Sequence, residues 1–255
     1  MTIVILDRPD GELPPYAEWL AGAGDLVLVT RRPAVDAAGY ADVRCVLDDP
    51  AAELAVLDIA RTTTVSALVA TAAPDLVRAG ALRDHLGIAG QNRAAATVFA
   101  DPVATRAGLR AAGVPAIPVG AIHKVADLYW FRHQWGGGPL RVRRRKEPGW
   151  PTAAILWDDN DLRAFTADGL APSLISVPSL FAEPFLDGNR HTDTPPIARD
   201  ALAALQATHP YRVTILHTSA GEWLVDTVEP VTTAATVRAQ AGLAPFAEEV
   251  TRWAS

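Results

Sequence analysis

Residues 136–157 read GGGPLRVRRRKEPGWPTAAILW, in which a basic, alternating half and an apolar half are separated by a Pro-Gly turn at 148–149. This pattern predicts a β-hairpin whose first strand is charged. Because side chains alternate across a strand, Arg141, Arg143 and Arg145 are predicted to share one face. Neighbouring cations repel one another unless an anion lies among them. The hairpin is therefore either an anion site or a solvated edge strand whose charges block unwanted pairing.

Composition places this hairpin in an acidic, globular chain. The 255 residues are 49% hydrophobic and 20% charged, which allows one large or two modest domains. The formal net charge of -6 favours a local anion site over a nucleic-acid surface, which needs a basic domain. No nucleic-acid partner is expected.

Cysteine usage and hydropathy limit the classes of protein to which this chain can belong. Cys45 is the only cysteine, which excludes a disulfide framework and a cysteine-based metal site. It lies in the apolar segment VRCVLDD, so a core position is expected rather than a nucleophile. No stretch of 18 apolar residues and no signal peptide is found, which predicts a cytoplasmic protein with no membrane partner.

The N-terminal part alternates short apolar runs with helical patterns. Buried strands are expected at residues 2–6, 25–30, 43–47 and 65–71, with a helix at 51–60 between the last two. Such alternation predicts a parallel, doubly wound sheet. Because no G-x-G-x-x-G follows the first strand, a dinucleotide site of the Rossmann kind is not supported.

The helical region that follows resembles an ATP-grasp enzyme. The stretch 82–119, LRDHLGIAGQNRAAATVFADPVATRAGLRAAGVPAIPV, is similar to the junction between a Rossmann-like N-terminal domain and the ATP grasp. It supplies a Gly-x-x-Gly turn at 87–90, the aspartate Asp101, and the segment AGVPAIP at 112–118. Pro102 stands where the family has a lysine that approaches the ATP phosphates.

This resemblance implies the fold class and the domain boundaries. The fold would be α/β, and α+β in the C-terminal part, with a Rossmann-like parallel sheet followed by a two-subdomain ATP-grasp-like domain. The predicted domains are 1–95 and 96–255, the second divided into subdomains of about 96–172 and 173–255.

The hairpin falls where ATP-grasp enzymes carry a phosphate-binding lysine strand. Counting from Pro139, the family lysine corresponds to Arg143, with Arg145 and Lys146 just beyond it. The resemblance implies that these three residues hold the phosphates and carry the chemistry. The glycine-rich flap is reduced to a Pro-Gly turn, and guanidinium groups can grip phosphate oxygens in its place. The stretch is similar in kind to an arginine- and lysine-variant clade of the superfamily.

Residues 174–197, LISVPSLFAEPFLDGNRHTDTPPI, resemble the segment that biotin carboxylase and its relatives use to bind adenine and ribose. The resemblance implies an interdomain hinge whose backbone reads adenine, with a histidine near the ribose. The alternative is an ordinary strand and turn with a surface glutamate and histidine. The implied nucleotide-binding residues are Phe181, Glu183, Phe185, Leu186 and His191.

The segment 211–230 is predicted to be a hairpin around Ser219-Ala220-Gly221. In the family this hairpin delivers carboxylate and asparagine ligands to Mg²⁺, and here the asparagine is absent. The resemblance implies Glu229 as the first and Asp226 as the second magnesium ligand, since Mg²⁺ needs only one or two carboxylates beside the substrate phosphates. The alternative is that both are solvated strand residues.

Taken together, the resemblance implies an ATP- and Mg²⁺-dependent ligase-like enzyme that activates a carboxylate as an acyl phosphate for attack by an amine or another nucleophile. Its partners would be small-molecule carboxylate and amine substrates, and a homodimer stays open. The alternative is a non-catalytic descendant that binds a nucleotide, another anion or a protein partner. The altered family positions, Pro102 and His217 among them, favour that alternative.

Overall fold

The computed structural model describes residues 1–9, 11–145, 147, 149–167, 170, 179–192, 196–208 and 211–244. Its strands are β1 Thr2–Asp7, β2 Asp25–Thr30, β3 Asp42–Cys45, β4 Val65–Ala70, β5 Gly120–Ile122, β6 Leu140–Arg144, β7 Thr152–Leu156, β8 Leu180–Pro184, β9 Gly188–Thr192, β10 Tyr211–Thr218 and β11 Trp223–Pro230. Its helices are α1 Tyr16–Trp19, α2 Asp49–Thr62, α3 Ala73–Leu86, α4 Arg93–Ala100, α5 Pro102–Ala111, α6 Val125–Gln134, α7 Asp159–Thr166, α8 Ile197–Ala204 and α9 Ala234–Gln240.

The chain forms two compact units. The first consists of residues 1–100, 206–212 and the chain from 229 onward, and the second of residues 101–205 and 213–228. None of the described helices is long and apolar enough to cross a membrane. The domain boundary near residue 95 and the subdomain limits stay predictions.

The first unit is built on a parallel sheet in the order β3-β2-β1-β4. Its central strands are the continuous apolar runs of the sequence, and β1 is buried along its whole length because helices cover both faces of such a sheet. The hydrophobic core of this unit contains Ile3, Ile5, Tyr16, Leu20, Leu26, Leu28, Ala67, Val69, Val237 and Ala241. The predicted parallel, doubly wound sheet is confirmed.

The strand β3 differs from its prediction. It spans four residues at the edge of the sheet and is half-exposed, whereas a buried strand was expected at 43–47. Cys45 at its end is exposed, so the expected core position is wrong. A short apolar run does not reveal whether its strand has neighbours on both sides, and among the described strands β3 pairs with β2 alone.

At the opposite edge of the sheet, side chains form hydrogen bonds with the backbone of β4. The Gln240 amide donates to the Ala70 carbonyl at 2.7 Å and accepts from the Ala70 N–H at 2.9 Å, as a neighbouring strand would. The buried Arg83 donates to the Leu68 carbonyl, and burial lowers its pKa to about 10. These bonds satisfy backbone groups that an edge strand otherwise leaves open.

A network of ion pairs lies beyond the end of β1, and we call it the balanced cluster. Arg8 follows β1, and its guanidinium donates to Asp75 at 2.7 Å and to Asp49 at 3.0 Å. Arg78 joins it through Asp75, Asp49 and, at 3.0 Å, Glu53. Arg31 also pairs with Asp49. The cluster thus contains three arginines and three carboxylates, so the formal charges cancel.

The second unit contains an antiparallel sheet in the order β5-β8-β6-β7. The predicted hairpin is confirmed as β6 and β7. One face of the sheet packs on α6 and α7 in a core that includes Val142, Leu128 and Leu162. Because β6 pairs with β7 on one side and β8 on the other, the alternative of a solvated edge strand is wrong.

A second sheet, in the order β11-β10-β9, contains the predicted hairpin of residues 211–230. The strands β9 and β10 run antiparallel, with His191 opposite Ile215 and Arg190 opposite Leu216. Gly188 begins β9 with a φ of 154°, where a side chain would collide with the His217 carbonyl. Lys146, Pro148 and residues 174–178 lie outside the described residues, so what was expected of them stays a prediction.

Candidate functional site

The face of the antiparallel sheet opposite the α6 and α7 core carries two arginines of β6. Arg141 and Arg143 lie two residues apart and so project to the same side, opposite Glu183 and Phe181 of β8. The Nη1 atoms of Arg141 and Arg143 lie 3.4 and 3.5 Å from Glu183 Oε1. These bonds are long, so the carboxylate attracts both arginines without saturating either one.

Arg143 is also anchored to the turn of its own hairpin. Its Nε donates to the Trp150 carbonyl at 2.6 Å and its Nη2 to the Gly149 carbonyl at 3.1 Å. Burial lowers its pKa, the charges of Glu183 and Asp226 act in the opposite direction, and Arg106 and Arg141 lower it further. The guanidinium is thus held in place in an environment already rich in positive charge.

A buried arginine joins the two sheets of this unit. Arg106 of α5 is 1% exposed, and its Nη1 donates to Glu183 Oε2. Its Nη2 donates to Asp226 Oδ1 and its Nε to the Asp226 carbonyl, both at 2.9 Å. The second Asp226 oxygen, Oδ2, accepts from Arg190 Nε of β9 at 2.7 Å. Each buried carboxylate is therefore fully engaged by guanidinium groups.

We call this group the arginine cluster; its members are Arg106, Arg141, Arg143, Arg190, Glu183 and Asp226. Four arginines face two carboxylates, which leaves a formal charge of +2. Arg190 is the most exposed member at 42%, Arg141 and Arg143 are 17% and 13% exposed, and Arg106 is enclosed. A surplus of partly buried positive charge favours binding of an anion with several oxygens.

Aromatic rings lie beside the cluster. The guanidinium carbon of Arg143 is 5.8 Å from the centre of the Phe181 ring, and that of Arg141 is 5.1 Å from the centre of the Phe185 ring. Phe185 in turn meets the exposed Trp157 edge-on, with ring centres 5.0 Å apart. Cations next to flat apolar rings suit a ligand that is anionic at one end and aromatic at the other.

The predicted hinge, Phe181–Leu186, begins in β8. Phe181 and Glu183 are buried, while Phe185 and Leu186 are half-buried at the strand end. The Phe185 N–H donates to the Pro139 carbonyl at 2.9 Å, and Pro184 has no N–H to offer. Neither Pro184 nor Phe185 therefore offers a backbone N–H to a ligand.

Arg145, predicted to hold phosphate, pairs with Asp101. Its Nε lies 2.7 Å from Asp101 Oδ1, and its Nη2 contacts Oδ2. Asp101 also caps the start of α5 by accepting from the Val103 N–H at 3.1 Å, and Pro102 opens the helix. The position that holds a lysine in the family is here a helix start whose aspartate is neutralised by Arg145.

His191, predicted to lie near a ribose, is exposed on β9 among aromatic neighbours. Its ring centre is 5.3 Å from that of Trp223 on β11. His217 of β10 stacks on the same Trp223 at 4.1 Å with nearly parallel planes. His191, His217 and Trp223 therefore form a small aromatic surface on the second sheet.

Asp226, one of the two residues predicted to bind Mg²⁺, is held by arginines. In the part of the chain that the structure describes, no group of three His, Cys, Asp or Glu residues has metal-binding geometry. Both Asp226 oxygens accept from arginines, and Glu229 lies three residues further along β11. Two unit charges 4 Å apart interact by about 4 kcal/mol near a protein surface, so a dication at Asp226 meets repulsion from Arg106 and Arg190. The arrangement fits guanidinium groups and does not fit Mg²⁺.

Sequence reasoning did not assign three arginines of the cluster to the site. Arg106 lies on the buried side of α5 with Pro102, Thr105 and Leu109, and an arginine on the apolar face of a helix is a signal for a buried acidic partner. Arg190 has no comparable signal, because a single charge on an exposed strand is common. Arg141 was assigned to the correct face but not to the site.

Comparisons with protein-family models and with curated proteins find no match for this chain. Several solved structures resemble it. The L-amino acid ligase from Bacillus licheniformis gives a TM-score of 0.67 at 14% identity, over 93% of this chain and 68% of that one. The biotin carboxylase domain of the 2-oxoglutarate carboxylase from Hydrogenobacter thermophilus, solved with MgADP, ADP and bicarbonate, gives 0.72 at 11% identity, over 96% and 70%.

A third match spans almost the whole of its counterpart. The RimK domain protein ATP-grasp from Sphaerobacter thermophilus gives a TM-score of 0.60 at 16% identity, over 96% of this chain and 99% of that one. These neighbours are ATP-grasp enzymes, and the chain has the ATP-grasp fold. The predicted resemblance to ATP-grasp enzymes is therefore confirmed for the fold, and the predicted mixed α/β fold class is confirmed as well.

Proposed function

We propose that this protein binds ATP on the arginine face of the β5-β8-β6-β7 sheet and uses it to activate a carboxylate for attack by an amine or another nucleophile. The observation that carries the proposal is the surplus charge of +2 in the arginine cluster, beside the Phe185 and Trp157 rings. The charge suits a polyphosphate, and the rings suit a base. Structural neighbours that include an L-amino acid ligase and a carboxylase domain bound to MgADP support this class of ligand and reaction.

In the proposed reaction, a carboxylate oxygen attacks the γ-phosphorus of ATP, and the bond from that phosphorus to the β,γ-bridging oxygen breaks. The products are an acyl phosphate and ADP. An amine then attacks the acyl carbon and releases phosphate and a proton. Phosphoryl transfer of this kind depends mainly on positioning and on neutralisation of the phosphate charge.

Arg143 and Arg141 are the proposed phosphate-binding residues. Arg143 is positioned in advance by its bonds to the Gly149 and Trp150 carbonyls, so little side-chain entropy is lost when it binds an anion. Arg145 is proposed to act through Asp101 and the start of α5. Because Asp226 is occupied by guanidinium groups, no step is assigned to Mg²⁺.

The test compares Arg143→Ala with Arg144→Ala. Arg144 is the next residue of β6, points to the other face and has a side chain that is 54% exposed, which makes it a matched control. ADP formation from ATP, measured with mixed carboxylates and amines, is expected to fall at least a hundredfold in Arg143→Ala and to stay at the parental rate in Arg144→Ala. ADP formation at the parental rate in Arg143→Ala would remove that residue from the mechanism.

A second candidate is a non-catalytic ATP-grasp descendant that binds a nucleotide without turning it over. The observation that favours it is the neutralisation of Asp226 by Arg106 and Arg190. Ligand at a hundred times its Kd stabilises a protein by about 2.7 kcal/mol, which for this chain length raises Tm by about 5 to 10 °C. A Tm shift with ATP but no ADP formation with any substrate mixture supports the second candidate.

A further inference from the structure

The arginine cluster holds Asp226, which the resemblance implies as a magnesium ligand, together with the neighbouring Glu183. Asp226 is 4% exposed, and its two oxygens accept from Arg106 at 2.9 Å and from Arg190 at 2.7 Å. Glu183 is 1% exposed and is reached by Arg106, Arg141 and Arg143. Every oxygen of both carboxylates has a guanidinium group beside it, so a cation that approaches either one meets positive charge.

The same arginines keep donors for an anion. A guanidinium has five N–H groups, and among described partners Arg190 uses only its Nε, on Asp226. Its side chain is 42% exposed, so the remaining N–H groups face solvent. The bond from Arg141 to Glu183 is long, at 3.4 Å, which leaves most of its donors available as well. Phosphate oxygens accept from guanidinium groups in short, charge-assisted hydrogen bonds.

We propose that the arginine cluster binds the phosphates of a nucleotide directly, so that the ligand is the metal-free nucleotide anion and Mg²⁺ is not a bridging ion. The +2 charge of the cluster neutralises phosphate charge, as a divalent cation does in a metal-bound complex. Mg²⁺ added to the solution forms a complex with the same phosphates and therefore competes with the arginines for them. This inference rests on the nucleotide binding proposed above, but not on catalysis.

The experiment measures the affinity of the full chain for ADP and for ATP by isothermal titration calorimetry, first in EDTA and then in excess MgCl₂. Binding in EDTA that is at least as tight as binding in MgCl₂ is the expected result. Affinity that rises tenfold or more with MgCl₂ would overturn the inference and leave the proposed nucleotide function standing. Absence of binding in both buffers would overturn both.

A pair of variants tests the residues. Arg190→Gln removes one phosphate donor and frees Asp226 Oδ2, whereas Arg163→Gln removes an exposed arginine of α7 in the same unit and changes the net charge equally. A hydrogen bond to a charged group changes affinity by about tenfold or more. In EDTA, Arg190→Gln is expected to bind ADP about tenfold more weakly than the parent, and Arg163→Gln to match the parent.

The same variants report on the metal. With Asp226 Oδ2 free, the affinity of Arg190→Gln for ADP is expected to improve on addition of MgCl₂, unlike that of the parent. Equal ADP affinities for Arg190→Gln and Arg163→Gln in EDTA would exclude Arg190 from phosphate binding and overturn the inference. Circular dichroism spectra that match the parent establish that both variants are folded.

Discussion

Each unit of the molecule contains a cluster of arginines and carboxylates, and the two clusters differ in their charge. In the balanced cluster of the first unit, Arg8, Arg31 and Arg78 meet Asp49, Asp75 and Glu53, so no charge is left over. In the arginine cluster of the second unit, two more arginines than carboxylates are present. The first cluster holds helices to a sheet with no net charge, whereas the second keeps a surplus of positive charge, which the proposed function assigns to anion binding.

The largest expected effect comes from the buried centre of the arginine cluster. Arg106→Met leaves Glu183 and Asp226 enclosed without their shared partner, and breaking a buried pair costs about 3–5 kcal/mol of the free energy of unfolding. Arg110→Met, at an exposed position of the same helix, is the control and is expected to change it by less than about 0.5 kcal/mol. Denaturant unfolding measures both. Equal stabilities would show that Arg106 is not a structural centre.

The balanced cluster is expected to affect stability without affecting ligand binding. Asp75→Asn weakens the pairs with Arg8 and Arg78 at a buried position, which is expected to cost about 1–3 kcal/mol in denaturant unfolding. Asp58→Asn, exposed on α2, is the control. ADP affinity is expected to match the parent in both variants. A loss of ADP affinity in Asp75→Asn alone would contradict the division of roles between the clusters.

The smallest effect is a pH dependence of the balanced cluster. Desolvation raises the pKa of Asp49, but the hydrogen bonds and charges of Arg8 and Arg78 outweigh it, so the pKa lies below its ordinary value. A lowered pKa in the folded state gives stability that is present above the unfolded pKa of about 3.9 and is lost as the pH falls through the folded value. The side chain is 40% exposed, so solvent screening limits this contribution to less than about 1 kcal/mol.

The measurement compares the parent with Asp49→Asn by denaturant unfolding between pH 5 and pH 3. The parent is expected to lose more stability over this range than the variant, in which residue 49 carries no ionisable group. A steeper loss in Asp49→Asn would show that the arginines do not stabilise the ionised form of Asp49.

Much of the fold follows from local sequence. The continuous apolar runs of β1 and β2 predict buried parallel strands, and alternation across a turn predicts the hairpin of β6 and β7. The position of β6 inside its sheet is not local, because its charges resemble those of an edge strand. The partners of Arg106 lie 77 and 120 residues away, at separations where no spacing rule applies. For this reason both carboxylates of the arginine cluster were named from the sequence in other roles, and Arg106, which joins them, was not named.

The bonds from Gln240 to β4 have a consequence for synthesis of the chain. They join residues 170 positions apart, and all residues of the second unit lie between these two positions in the sequence. At translation rates of about 5–20 residues per second, roughly 10 to 30 s pass between the synthesis of β4 and the synthesis of Gln240, its hydrogen-bond partner. During that interval its open edge is exposed to other nascent chains, so the yield of folded protein is expected to depend on chaperones that occupy strand edges.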